Sequence, residues 1–169
     1  MHGVIEIVLV APQIAPNTGN IVRLCANAGA RLHLIEPLGF TLDDAALRRG
    51  GLDYHELADT TTWSSWSECR AALGGRWFAT SARASSVRYD EVQYRPGDVV
   101  AFGCEQRGLP AEIIAEFATD ARVGIPMRPD NRSLNLASAV AIITYEAWRQ
   151  EGFVGTAFAS FEEARPPLP

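Results

Sequence analysis

Short apolar runs that read as strands alternate with amphipathic runs that read as helices along most of the 169 residues. That alternation predicts an α/β fold, a mainly parallel sheet flanked by helices. Two further observations point the same way. Val4 to Val10 is nearly all apolar and is bounded by Ala11-Pro12, as expected of a strand buried on both faces. Residues 135–150 hold ten apolar residues in sixteen, too many for one face of a helix, so this last helix must be covered on more than one side.

Taken in order, Val4 to Val10 is the first strand, and Pro16-Asn17 then halts the connection. Asn17 or Thr18 is expected to cap a helix whose stripe is Ile21, Leu24, Cys25 and Ala28, ended by Gly29. Arg23 falls off that stripe, in the second turn. Arg31 to Glu36 is the second strand, closed by Pro37-Leu38-Gly39, and a short helix over Asp43 to Arg49 ends in Arg48-Arg49, either a solvated pair or a phosphate contact. Within 59–74 only Ser64 to Leu73 has helical character, stopped by Gly74-Gly75. Arg76 to Thr80 is the third strand. Ser81 to Pro96 is expected to be a polar loop, and a loop that long often serves as a lid or binding segment. Asp98 to Gly103 is the fourth strand, Pro110 starts a helix over Ala111 to Phe117, and Arg122 to Ile125 is the fifth strand. A polar loop, Arg128 to Ser133, follows, and Asn135 is placed to cap the last helix. Such a helix is either the core of a monomer or a dimer seam, and its position near the end of the chain favours the seam.

No segment repeats and no linker is evident, so one domain is expected over 1–152, with an irregular tail over 153–169 ending in RPPLP. No apolar run approaches the roughly 20 residues of a membrane helix, and MHGVIEIVLVAP lacks the features of a signal peptide. A soluble, intracellular, cytoplasmic protein is the expectation. Cys25, Cys69 and Cys104 are odd in number and share no metal-ligand spacing, and His2, His33 and His55 have none either, so no disulfide framework and no metal are expected. Every strongly basic residue is arginine, which excludes lysine Schiff-base chemistry and a P-loop. The net charge of −5 argues against nucleic-acid binding through a global field but leaves room for a local basic patch. No GxGxxG occurs. The loops after Thr80, around Gly103 to Pro110 and from Ile125 to Ser133 all follow strand C-termini, the edge of an open α/β sheet where ligands sit.

PNTGNIVRLCANAG, FGCEQRGLP and IPMRPDNRSLNLASAVAI, in that order and spacing, resemble the three motifs of the SPOUT-class RNA 2′-O-ribose methyltransferases. IEPLGF, RRGGLDYHE and ITYEAWRQ sharpen the likeness to the small single-domain enzymes that methylate the wobble nucleotide of tRNA, and the resemblance runs from Val4 to about Gly152. It implies an α/β sheet with a C-terminal trefoil knot, a homodimer, and a substrate in the anticodon stem-loop of tRNA, with cytidine or a modified uridine at position 34 and leucine isoacceptors as the expected acceptors. It implies S-adenosylmethionine as methyl donor, leaving S-adenosylhomocysteine, in a pocket lined by Thr80, Gly103, Ile125 and Ser133 with Leu109 and Leu134 packing there. Arg23, Asn17, Glu105, Asn135 and Tyr145 are assigned by the same resemblance to the reaction centre. For Glu105 and Asn135 the alternative is a structural role, holding loops together by hydrogen bonds. Cys104 stands where the family often has proline.

The arginines expected to meet RNA are Arg48, Arg49, Arg128 and Arg132, with Arg23, Arg88 and Arg107 as further members of one surface. Two other functions remain open at this point: a noncatalytic dimeric RNA-binding module of the same fold, and a ribosomal RNA 2′-O-methyltransferase.

Overall fold

A computed structural model describes residues 4–41, 60–82, 86–131 and 133–156. The elements in chain order are β1 (Glu6–Val10), α1 (Ala15–Ala28), β2 (Arg31–Ile35), β3 (Thr60–Trp63), α2 (Trp66–Ala72), β4 (Trp77–Thr80), β5 (Val87–Arg88), β6 (Val99–Phe102), α3 (Ala111–Ala115), a 3₁₀ turn (Thr119–Ala121), β7 (Arg122–Gly124) and α4 (Leu136–Gln150). The strands form one seven-stranded sheet in the order β3-β2-β1-β6-β4-β7-β5, and every pairing is parallel. The expected mainly parallel α/β sheet is present.

The near-continuous apolar character of β1 follows from burial on both sides. Ile5, Ile7 and Leu9 pack with Ile21, Val22 and Cys25 of α1 and with Val140, Ile143 and Ala147 of α4. Val8 and Val10 face the other way, toward Cys69, Ile113 and Phe117. Glu6 is the exception, a buried carboxylate at the start of β1. It is ion-paired with Arg31 and accepts from His33 Nε2 at 2.8 Å. Trp63 Nε1 donates to His33 Nδ1 at 3.1 Å, which makes Nδ1 the acceptor and leaves Nε2 to carry the proton toward Glu6. Burial pushes the Glu6 carboxyl up, but the His33 hydrogen bond and the Arg31 charge outweigh it and hold its pKa below the ordinary value. His33 is thus structural, holding Glu6 and Trp63 together.

Several expectations are corrected. Helix α1 starts at Ala15, with Ile14 as a cap residue that makes no side-chain cap bond, so neither Asn17 nor Thr18 caps it. The segment entering the helix is held from elsewhere: Glu105, from a distant loop, accepts from Gln13 N at 2.9 Å and Ile14 N at 3.1 Å, which places a carboxylate beside the N-terminus of α1. Pro16 sits in the first turn, where its missing N–H costs no helical bond. A strand stands at Thr60–Trp63 where the sequence offered nothing distinct, a threonine run docked in parallel on β2. The Ser81 to Pro96 stretch is not simply a polar loop, because Val87–Arg88 pairs with β7 and Val92 and Tyr94 are buried in the core. The helix expected over 43–49 lies outside the described residues, as do Arg48, Arg49 and Arg132.

At the other end of the chain, Asn135 caps α4 as expected, its Oδ1 accepting from Ala137 N at 2.9 Å and Ser138 N at 3.3 Å. Leu136, Val140, Ile143, Thr144 and Ala147 are buried, while Tyr145 remains 44% exposed. Beyond the helix, Phe153 packs edge-on against Trp148 with ring centroids 5.4 Å apart, and Trp148 Nε1 donates to the Val154 carbonyl at 3.0 Å. Cys25 and Cys69 are buried free thiols. Burial pushes Cys25 up to about 12 and Cys69 up to about 11, so neither is reactive at neutral pH.

Candidate active site

β6, β4 and β7 are neighbours in the sheet and run in the same direction, so the loops leaving their C-terminal ends meet at one edge. Between them lies a cavity of about 510 Å³. Its wall contains Thr80 at the end of β4, Gly103 just after β6 and Ile125 just after β7. Leu109, Ser133 and Leu134 complete the set expected from the motifs, and all six expected cofactor residues line this one space. The volume is within the few hundred to about 1,000 Å³ typical of small-molecule sites.

The loop after β6 is shaped by glycine at two positions. A methyl group on Gly103 would lie 1.8 Å from the Gly108 carbonyl carbon and 1.9 Å from the Leu109 nitrogen, so only glycine lets the loop close on itself there. Gly108 has φ +68°, in the left-handed region, and its N–H donates to the Cys104 carbonyl at 2.9 Å. The Thr80 hydroxyl is committed to the Ala101 carbonyl at 3.0 Å, holding the ends of β4 and β6 together. What remains toward the cavity is mainly backbone and apolar side chains, among them Phe102, Ile114 and Val123. That lining suits an adenosyl group, whose flat base is apolar on its faces and hydrogen-bonds at its edge.

Glu105 links this cavity to the start of α1. It lines the cavity wall, yet both carboxylate oxygens turn toward the segment 13–17: Oε2 accepts from Gln13 N, and Oε1 from Ile14 N and from Asn17 Nδ2 at 3.1 Å. Asn17 Oδ1 in turn accepts from Asn135 Nδ2 at 2.9 Å. Asn135 spends its own oxygen on the first turn of α4. A continuous relay, Glu105 to Asn17 to Asn135, therefore ties the cofactor-side loop to the N-termini of α1 and α4. The structure brings these three expected residues together and gives each a positioning role.

Arg23 and Tyr145 are not part of the cavity wall. Arg23 is exposed on α1 six residues beyond Asn17, about 9 Å along the helix axis. Tyr145 is exposed on α4 ten residues beyond Asn135, about 15 Å along that axis, with its ring edge-on to Trp148 at 5.6 Å. Arg128 is exposed on the loop after β7, next to Met127, which lines the cavity. Gln106, Met127 and Ala139, which were not singled out, line it too, as does Arg107, expected instead on the RNA-contacting surface. Nor did the motifs show Gln13 and Ile14, which reach Glu105 through backbone N–H groups that no side-chain pattern reveals. Among the described residues no group of His, Cys, Asp and Glu could hold a metal ion, and no helix is long and apolar enough to cross a membrane.

The family described as SpoU rRNA Methylase matches residues 4–145. A protein of Burkholderia ambifaria named tRNA (cytidine(34)-2′-O)-methyltransferase is 54% identical over 155 residues, covering 90% of this chain and 99% of its own. The protein of the same name from Escherichia coli K12 is 48% identical over 152 residues, covering 89% and 96%. A solved structure described as giving insight into 2-OH methylation of C/U34 on tRNA is 44% identical and superposes with a TM-score of 0.81, over 88% of this chain and 97% of that one. An AdoMet-bound rRNA methyltransferase from Sinorhizobium meliloti is 28% identical with a TM-score of 0.71, over 88% of this chain but only 57% of that one.

Proposed function

The chain belongs to the SpoU rRNA methylase family, and we propose that it transfers a methyl group from S-adenosylmethionine to the ribose 2′-hydroxyl of nucleotide 34, cytidine or uridine, in tRNA. The observation that carries this reading is the cavity at the ends of β4, β6 and β7, whose wall contains all six residues expected to meet the cofactor. Relatives that carry the tRNA name match over nearly their whole length, whereas the ribosomal RNA enzyme has a large portion this chain does not cover. That favours tRNA over ribosomal RNA.

The cofactor, when bound, supplies a methyl group on a sulfonium. The chain's own residues supply position and electrostatics. The three loops hold the adenosyl end between backbone groups and apolar side chains such as Phe102, Leu109 and Val123. The Glu105, Asn17 and Asn135 relay fixes those loops against α1, the helix that carries Arg23. A guanidinium has no lone pair at accessible pH, so Arg23 stabilises the developing alkoxide and grips the adjacent phosphate rather than accepting the proton. The proton leaves to a substrate phosphate oxygen or to water.

The working unit is a homodimer joined through α4. Tyr145 at 44%, Leu134 at 40% and Ile14 at 42% are exposed in the single chain, which leaves apolar surface at the seam and beside the loops. Arg23 and Tyr145, remote from the cavity within one chain, then reach the reaction centre at the junction of two. The methyltransferase domain spans 1–152 with a trefoil knot at its C-terminal side, and the enzyme acts on leucine tRNAs in the cytoplasm. Because the relay holds loops in place whatever the chemistry, its presence does not by itself separate an enzyme from a binding-only descendant. Methyl transfer itself does. The test is methyl transfer to an anticodon stem-loop with ribose or 2′-deoxyribose at position 34. The ribose form accepts methyl and the deoxy form does not; equal labelling of both overturns the reading.

A further inference from the structure

The cavity wall holds two charged residues among the described residues, Glu105 and Arg107. Both oxygens of Glu105 are taken by the Gln13, Ile14 and Asn17 N–H groups, so its charge is committed to the start of α1. Arg107 differs. It is exposed at the tip of the loop between Glu105 and the left-handed Gly108, and among the described residues it has no hydrogen bond, ion pair or ring contact. Among the described residues most other arginines are engaged. Arg31, Arg76, Arg88 and Arg149 are ion-paired, Arg122 donates to the Phe117 carbonyl, and Arg70 lies 4.4 Å over the Trp77 ring. The cavity therefore presents one uncommitted charge, a cation at its mouth, above a floor of Phe102, Leu109 and Val123.

Taking the pocket as the adenosyl site of the proposed function, we infer that Arg107 binds the α-carboxylate of the cofactor's amino-acid end. Apolar walls inside and a guanidinium at the rim match a ligand with a flat base at one end and a carboxylate at the other. The planar fork of arginine meets a carboxylate through two parallel N–H···O bonds, which a backbone amide cannot do. Arg107 would thus set the orientation of the ligand and select adenosyl amino acids over adenosyl thioethers that lack the acid.

The experiment is calorimetric titration of wild type, Arg107→Met and Arg107→Lys with S-adenosylhomocysteine and with its decarboxylated analogue, which keeps the adenosine, the thioether and the ammonium. A charge-assisted pair at a partly exposed rim corresponds to roughly a tenfold or greater preference of wild type for the carboxylate form. Arg107→Met should lose that preference by weakening only S-adenosylhomocysteine, and Arg107→Lys should keep part of it. If Arg107→Met binds both compounds as wild type does, the inference is overturned. An isolated fall in tRNA affinity in that variant would give Arg107 to an RNA phosphate instead. If wild type binds neither compound, the adenosyl reading of the pocket fails first, and the two failures are distinguishable.

Discussion

Arg23 is the residue on which the chemical claim rests, because it is expected to act on charge that develops only during transfer. It stands off the cavity wall, so the cofactor should bind almost normally without it. Arg23→Ala is expected to lose more than tenfold in turnover, above about 1.4 kcal/mol of transition-state stabilisation, with S-adenosylhomocysteine affinity by calorimetry within a factor of about two of wild type, far less than the 1.4 kcal/mol of a tenfold change. A variant that keeps wild-type turnover removes Arg23 from catalysis. The motif residues were legible in the sequence because each is a side chain or glycine at a fixed offset within a continuous segment. The capping of α1 was not. Asn17 looked like a local cap, but the turn before α1 is held by a carboxylate some ninety positions away, and Asn17 instead joins Glu105 to Asn135. Sequence spacing holds no record of such a pairing until the fold closes it.

At the level of elements, the loop from Gly103 to Leu109 and the helix α4 make separate predictions. Any side chain on Gly103 meets backbone atoms of residues 108 and 109, which cannot swing aside as a side-chain tip can. Gly103→Ala should therefore open the loop, costing about 1–3 kcal/mol of stability or more. Thermal denaturation should report that loss together with at least tenfold weaker S-adenosylhomocysteine binding; an unchanged Tm and affinity would mean that the close contact is not needed. On α4 the sequence pattern demanded cover on more than one side, and packing against α1 and the sheet supplies only one. Ile142 is half-buried and Tyr145 exposed, so Ile142→Glu or Tyr145→Asp should cost several kcal/mol of association by burying an unpaired charge at the seam. Sedimentation should show monomer or aggregate, and a stable dimer at micromolar concentration would return α4 to the core of a monomer. Strands β1 and β6 were readable from four consecutive apolar residues each. Thr60–Trp63 was hidden because three threonines carry β-branching without hydrophobicity, and Val87–Arg88 because two residues are too few to show any period.

For the whole molecule, the net charge of −5 means that RNA must be held by arginines gathered on one surface rather than by the overall field. Arg128 is exposed beside the cavity. Arg48→Ala/Arg49→Ala should flatten the dependence of log tRNA affinity on log salt by about 0.7 units for each phosphate contact to a single strand that is lost. Cofactor affinity should not change, and a part of the binding that is insensitive to salt should survive from stacking and base-edge contacts in the anticodon loop. Equal slopes in a salt titration of the two proteins would move the contact to Arg128 and its neighbours. The parallel sheet and its ligand edge were legible from alternation alone, whereas the choice of RNA as partner rested on the three motifs, since composition points away from it. The most direct test of the central claim is to incubate the purified protein with total tRNA and labelled S-adenosylmethionine, and then to map the label by nuclease digestion. The expected result is a methyl group on the ribose 2′-oxygen of nucleotide 34; label on a base, on another nucleotide, or on no tRNA while the cofactor still binds would contradict it.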